Sequence, residues 1–405
     1  MEHRSKKLPL IIVAGIVIPS TAVVLTRDRD DPGLNGPMVQ MLTTEGFTLV
    51  WEGAGEEPAR VALRTAGGGG EWEVPVTPQE GRYEVVLEGL SPATVYEYRI
   101  SLEGTEPREA GVLQGKVRTA PLPGGSFRFL VFGDSGDGRD IQYQLAARMP
   151  AYEPDLVIHT GDLIYPDGAT EGYPRKFYAP YADLIRNAAV YPCLGNHDFD
   201  DTAGVPMLNA FVLPENGPES SVPERHYWFD FGDARFVCID SDALFAELRD
   251  QVAPWLDAVL ASAGDRWKFV YFHHPVCTNG KYTPSGKMLE LIVPIFERYH
   301  VTATFSGHNH MYERSHPVLA GRVTTPDRGT VYITSGAGGN PLYDIRGEKP
   351  ETLYLQDNSQ HSFTVVDVTP QALSFRQIGL DGSTMDEFVI EKVPGPPESP
   401  GAAAG

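Results

Sequence analysis

Five short segments each close an apolar run with side chains able to ligate a metal. They are Gly133-Asp134, Gly161-Asp162-Leu163-Ile164-Tyr165, Gly195-Asn196-His197-Asp198, His273-His274-Pro275 and Gly307-His308-Asn309-His310. Any one of them arises by chance; the five in this order describe a site for two metal ions that performs hydrolysis. Two ions about 3.5 to 4 Å apart lower the pKa of bound water from about 15.7 to about 7 or below, so that hydroxide becomes available near neutral pH. No covalent intermediate with the protein is then needed.

The elements that must position these groups are the runs before them: Phe127 to Phe132, Leu156 to His159, Val190 to Leu194, Phe269 to Phe272 and Thr302 to Phe305. Short, apolar and rich in Val, Ile, Phe and Tyr, they read as buried strands of a layered α/β domain. Ligands in such sheets gather beyond the carboxyl ends of the strands, where the five segments fall. Glycine stands before Asp134, Asp162, Asn196 and His308, as a tight turn passing close to the metals requires.

These residues carry a family resemblance. From about Phe127 to about Lys392 the chain resembles the purple acid phosphatases of the calcineurin-like metallophosphoesterase superfamily, most visibly in Gly-His-Asn-His-Met-Tyr-Glu-Arg at 307 to 314. Most of that superfamily has a histidine two residues after the first aspartate, where this chain has Gly136. Tyr165, three residues after Asp162, is the replacement that defines the purple branch. The resemblance implies a layered αββα sandwich in which Asp134, Asp162, Tyr165 and His310 hold the first metal. Asp162, Asn196, His273 and His308 would hold the second, with Asp162 bridging. A phenolate with carboxylates suits Fe(III), and imidazoles with an amide suit Fe(II), Zn or Mn.

His197 is the candidate general acid for the leaving alkoxide, because an imidazole holds and releases a proton near working pH. The family commonly adds a second histidine downstream of the His273 motif. Val276 to Lys287 contains none, and Asn279, Lys281 or Tyr282 could take its place. His159, inside a strand, reads as a core histidine. His274 follows a ligand on a strand end and is expected to point to the opposite side. His226, His300, His316 and His361 lack ligand spacing and read as packing or surface residues. Asp198 and Asp200 could tune His197, although acidic loop residues are ordinarily just solvated. Ser335-Gly336-Ala337-Gly338-Gly339 lacks the ending of a P-loop and reads as a turn connecting sheets. Arg314 reads more plainly as an ion pair with Glu313 or another nearby carboxylate than as a substrate contact. Gln251, Trp255 and Leu256 precede a helical stretch ending near Ala261 and read as packing residues.

The rest of the chain frames this domain. Arg4, Lys6 and Lys7 precede an apolar run from Leu8 to Leu25, at about 18 residues the lower edge for crossing a bilayer. Residues 1–26 therefore read as a signal peptide or an uncleaved membrane anchor, and the body as exported, secreted or held at the outer face of a membrane. Residues 27–38 read as a linker. Residues 39–120 alternate at Thr48 to Trp51, Arg60 to Arg64, Trp72 to Val76, Tyr83 to Leu87, Val95 to Leu102 and Val112 to Arg118, as an all-β sandwich does. Leu90, Pro92, Thr94, Tyr96 and Tyr98 resemble the fibronectin type III pattern. Pro121 to Ser126 form a second linker, 126–393 the catalytic domain and 394–405 a Pro-rich tail expected to be disordered.

The net charge of −21 disfavours nucleic acid as a stable partner, and an anionic surface as a bulk one, leaving phosphate recognition to the metals. Cys193, Cys238 and Cys277 are an odd number in apolar settings and read as buried thiols, with one disulfide open. The expected activity is an exported binuclear phosphatase acting on phosphomonoesters. Phosphodiesters or nucleotides are the alternative substrates, and a surface adhesion protein with a vestigial site is the non-enzymatic alternative. Against the last stand the seven filled ligand positions.

Overall fold

The computed structural model describes residues 34–53, 55–102, 113–199 and 203–392. The apolar run from Leu8 to Leu25, Asp200 and the tail from 394 lie outside the described residues. Among the described residues no helix is long and apolar enough to cross a membrane.

The five apolar runs are strands. Phe127–Phe132, Leu156–His159 and Ala189–Pro192 lie parallel in a nine-stranded sheet, with Phe132, His159 and Pro192 level across the register. Trp267–Tyr271 and Ala303–Ser306 lie parallel in a seven-stranded sheet between Ala234–Cys238 and Val331–Ser335. Because each group of strands ends level, the segments that follow emerge side by side.

Side-chain alternation along these strands separates two cores. Phe236, Phe269 and Phe305 belong to the core between the sheets, whereas Val237, Val270 and Phe272 belong to a second cluster. That cluster also takes residues of the helices Ala253–Ala261, Gly286–Leu291 and Val293–Tyr299. Trp255 and Leu256 lie inside the first of these helices rather than before it. From the other sheet, Phe129 meets Phe236, Phe269 and Phe305 edge-on at 5.1, 5.2 and 5.8 Å. On that sheet's outer face Phe132 packs on Tyr181 of the helix Ala179–Ile185 at 5.1 Å. The layers run helix, sheet, sheet, helix, as expected for αββα. The turn after Val331–Ser335 does connect the sheets: Gly133 donates to the Ser335 carbonyl and Gly338 to the Gly133 carbonyl, both at 3.0 Å.

The N-terminal strands are less separate than expected. Ala59–Thr65, Trp72–Val76, Val95–Leu102 and Leu113–Arg118 form a four-stranded sheet of their own. Leu34–Gln40, Gly46–Gly53 and Arg82–Glu88 instead extend the nine-stranded sheet, joined in parallel at Val39 and Ala189. The all-β character expected of this region holds, while the stretch read as a linker at 27–38 contains the first residues of the strand Leu34–Gln40. Gly36 and Pro37 gave that stretch a linker-like composition. Pro37 sits in the bulge between Asn35 and Met38, where proline is tolerated in a strand. The buried Gln40 side chain seals the junction by donating to the Val190 carbonyl at 2.9 Å. All three cysteines are free thiols.

Phe129 is fully buried between the sheets, and Val86 is 56% exposed. Phe129→Ala is expected to cost about 3–5 kcal/mol, and Val86→Ala no more than about 0.5 kcal/mol. Denaturant midpoints of the two variants check this, and equal losses would contradict the placement of the inter-sheet core.

Candidate metal centre

Asp134 and Asp162 leave the carboxyl ends of neighbouring strands, and Tyr165 follows in the segment after Asp162. The Tyr165 hydroxyl lies 2.8 Å from Asp162 Oδ2, 3.0 Å from His310 Nε2 and 3.3 Å from Asp134 Oδ1. His310 Nε2 is 3.4 Å from Asp134 Oδ1. The other oxygen of Asp162, Oδ1, is 3.4 Å from His273 Nε2. That nitrogen is in turn 3.2 Å from Asn196 Oδ1 and 3.3 Å from His308 Nδ1. Two donor sets therefore meet on the two oxygens of one carboxylate, and each set contains the four residues singled out from the sequence. Donors about 2.0–2.2 Å from a common ion stand roughly 3 to 3.5 Å from one another; Asp134, Asp162 and His310 are grouped closely enough to hold one, and the second set converges on His273 Nε2.

The surrounding chain orients these donors. His273 Nδ1 faces the Thr160 carbonyl at 2.8 Å and His310 Nδ1 the Pro341 carbonyl at 2.7 Å. A carbonyl only accepts, so each Nδ1 carries a proton and each Nε2 faces the cluster, where a metal would take its lone pair. Asp134 accepts the His308 N–H at 2.9 and 3.0 Å, and Asp162 the His197 N–H at 3.0 Å. Asp134 and Asp162 (φ 55) and His308 (φ 66) adopt the left-handed conformation, a strained backbone for such residues. The glycines serve close approach more than turn geometry: a Cβ on Gly195 would lie 2.2 Å from Asp162 Oδ1, and one on Gly307 2.3 Å from Asp134 Oδ2.

Gly136 shows why its position carries no ligand. A Cβ there would lie 1.5 Å from the Leu163 carbonyl oxygen, and the Gly136 carbonyl accepts the Tyr165 N–H at 2.9 Å. The segment that delivers Tyr165 fills the space a side chain at 136 would need. The absent histidine and the tyrosine are one steric choice.

Comparison with known proteins agrees with this geometry. Residues 127–312 match the calcineurin-like phosphoesterase family. That stretch contains all five ligand-bearing segments. Its homologues include purple acid phosphatase 4 of Arabidopsis thaliana, 26% identical over 307 residues, which covers 68% of this chain and 87% of that protein. A nucleotide pyrophosphatase/phosphodiesterase of Hordeum vulgare is 24% identical over 324 residues, covering 68% of this chain and 86% of that protein. Other curated relatives are matched over only 57% of their own length. Among solved structures, a purple acid phosphatase from yellow lupin (Lupinus luteus) seeds superposes with a TM-score of 0.75 at 17% identity. That match covers 89% of this chain and 74% of the lupin chain, and shows the shared fold. The family match and the curated homologues support a hydrolase.

The electrostatics of the metallophosphoesterase site call for cations. Burial opposes a charged His273, but Asp162, Asp134 and the Thr160 carbonyl outweigh it and push its pKa up to about 10. Burial and the same two carboxylates push the Tyr165 phenol well above its ordinary value. Both shifts mark a pocket short of positive charge, which bound cations would supply while displacing these protons. His197 is half-buried, with Nδ1 2.5 Å from the Pro166 carbonyl and its ring 4.5 Å from that of Tyr165. The carbonyl accepts the Nδ1 proton and so fixes the orientation of the ring.

Of the remaining candidates, Asp198 and His274 sit where the sequence did not place them. Asp198 is buried rather than solvated, and it accepts the N–H groups of Leu163, Ile164 and Gly195 at 2.9, 3.2 and 3.1 Å. It clamps the Asp162 segment to the Asn196 segment. Burial and then Asp162 push its pKa up to about 7 against those donors. His274 does not point away: its ring lies 4.4 Å from that of His308, and its Nδ1 3.0 Å from Ser241 Oγ. The strand ends at Tyr271, so strict alternation has lapsed. His159, fully buried with Nε2 2.9 Å from Ser135 Oγ, is the expected core histidine. Arg314 pairs with Asp386 at 2.5 and 2.9 Å rather than reaching substrate. Glu313 instead accepts the Asn279 N–H at 2.8 Å and the Gln356 amide at 2.6 Å.

Asp198→Ala would leave three buried N–H groups unpaired, at about 1–3 kcal/mol each. The variant is expected to lose at least about 2 kcal/mol and to retain less metal, with Asp198→Asn restoring part of both. Denaturant unfolding and metal content after dialysis check this; wild-type values for Asp198→Ala would remove the clamp.

Proposed function

We propose that this protein is an exported phosphatase hydrolysing phosphomonoesters at a binuclear centre. Asp134, Asp162, Tyr165 and His310 would hold Fe(III), and Asp162, Asn196, His273 and His308 would hold Fe(II), Zn or Mn. The observation that carries the reading is the division of Asp162: Oδ2 faces the phenol-containing set and Oδ1 the imidazole-rich one. Two bound ions supply Lewis acidity toward a phosphoryl oxygen and the activation of water. The protein's own groups do the rest. His273 and His310 are held in one tautomer by backbone carbonyls, and the amides of His197 and His308 keep both aspartates turned inward. His197, its Nδ1 proton engaged by Pro166, offers Nε2 as general acid to the departing alkoxide.

Export rests on Arg4, Lys6 and Lys7 ahead of the apolar run from Leu8 to Leu25, read as a signal or an anchor to the outer face of a membrane. A second reading keeps the site and changes the substrate to nucleotides or phosphodiesters, supported by the similarity to the barley nucleotide pyrophosphatase/phosphodiesterase.

Metal analysis of the purified protein with an ester screen across pH tests the proposal. Two metals per chain and preference for monoesters are expected; faster diester cleavage would favour the second reading. Iron-loaded, oxidised protein should show a broad visible charge-transfer band that Tyr165→Phe removes while the fold is kept. Iron-replete protein without that band would reject tyrosinate ligation.

His197→Ala is expected to keep its metals and slow turnover of alkyl phosphates by roughly 100-fold or more. Activated aryl phosphates, whose leaving groups need no proton, should slow less. Equal slowing of both would take His197 out of the acid's role.

A further inference from the structure

Beyond the two donor sets, a lysine stands over the aromatic rings that back the centre. Lys281 is exposed, and its ammonium lies 4.2 Å from the ring centroid of Tyr343 and 5.0 Å from that of Tyr282. Each ring backs a histidine from a different donor set. Tyr343 stacks on His310 at 3.8 Å and 15°, and Tyr282 lies 4.2 Å from His308 at 30°. The rings meet each other edge to face at 5.9 Å. The ammonium therefore shares two aromatic neighbours with the histidines of both donor sets.

The loop that carries it is built, not merely exposed. Asn309, fully buried between His308 and His310, accepts the Tyr282 N–H at 2.9 Å and donates to the Tyr282 carbonyl at 3.0 Å and to Thr278 Oγ1 at 2.8 Å. Glu313 holds the other end through Thr278 and the Asn279 N–H. A Cβ at Gly280 would lie 2.4 Å from the Asn309 side chain, so the loop is pressed against its anchor. On the facing side Tyr343 donates its N–H to the His310 carbonyl at 3.0 Å. The tetrapeptide that aims two imidazoles inward thus also fixes Lys281. Among the described residues no carboxylate pairs with Lys281, in a chain with 54 acidic and 33 basic residues. A cation over rings gains about 0.5–1 kcal/mol at an exposed site, enough to bias its position while leaving its charge to be met by an anion.

The geometry points to Lys281, carried on Tyr282 and Tyr343, as a specificity residue for phosphoanhydrides, substrates with a second phosphate on the leaving side of the phosphorus under attack. This rests on the phosphatase reading above, which seats the reacting phosphoryl group between the donor sets. Lys281 contacts two rings that each touch a histidine of a different donor set, so in this assignment its charge meets the part of the substrate that extends beyond that seat. Water's oxygen bonds to the terminal phosphorus and the bridging P–O bond breaks. The electron pair departs on the leaving phosphate, facing Lys281, and water's proton goes to solvent. Of the three candidates to replace the missing histidine, Asn279 is already committed to the Arg346 and Glu348 carbonyls at 2.6 and 3.2 Å. Tyr282 is the lysine's support.

Calorimetric titration of metal-loaded protein with pyrophosphate and with orthophosphate tests this without relying on turnover. Lys281→Met should weaken pyrophosphate about tenfold or more, the scale of one charge-assisted contact, and orthophosphate several-fold less. Lys281→Arg should retain most of the preference. The ratio of kcat/KM for a nucleoside diphosphate over 4-nitrophenyl phosphate should fall in parallel in Lys281→Met. Equal weakening of both anions, or none, in a Lys281→Met protein with wild-type melting and metal content overturns the assignment. Wild-type protein that binds both anions but hydrolyses no ester would sink the phosphatase reading alone, since the binding ratio still reports on Lys281.

Discussion

Asp134 and Asp162 are buried almost completely, side by side, at the ends of adjacent strands. Two carboxylates in a dry interior stay ionised only if compensating charge is near. Much of the local architecture answers that constraint. Backbone amides point at both groups, the imidazole of His273 is pushed toward its charged form, and a phenol is held un-ionised beside them. Three residues accept a left-handed backbone to keep the arrangement compact. Cations turn this accumulated negative potential into binding energy, which is why the centre reads as a place for metal before any family is considered.

A second tier of buried polar residues carries the loops. Asp198 ties the Asp162 and Asn196 segments together, while Asn309 and Glu313 tie the His308 segment to the stretch around Lys281. Asp198 accepts three backbone N–H groups, Asn309 accepts one and donates to a carbonyl and a hydroxyl, and Glu313 accepts one together with a hydroxyl and a side-chain amide. The scaffold beneath them is the pair of sheets locked by Phe129 and its three phenylalanine neighbours. Rigid strand ends and pinned loops leave few soft coordinates near the donors, the condition under which a site is preorganised.

What the sequence disclosed follows from how local each signal is. The donor residues were legible because each closely follows a buried strand and all but His273 also lie within a few residues of a glycine, and the strands because buried parallel runs are continuously apolar. Asp198 was not legible: in an acidic loop its burial depends on contacts with residues 35 positions away. His274 was misplaced because alternation was carried three residues past the end of its strand at Tyr271. Leu34–Gln40 was hidden by Gly36 and Pro37, whose composition suits a linker and whose bulge is visible only once the pairing partner is known. Arg314 finds Asp386, 72 residues onward, a partner no spacing rule would select.

The crowding at Gly136 bears on how such a site could change over time. A histidine introduced there meets the Leu163 carbonyl at a distance no side chain tolerates, while removing Tyr165 first leaves its donor set one group short. Neither order of replacement passes through an intact intermediate unless the backbone at 163 to 165 is rerouted at the same step. Tyrosine-bearing and histidine-bearing centres on this scaffold are thus separated by a barrier in sequence space, and a swap of the two side chains alone would be expected to yield neither.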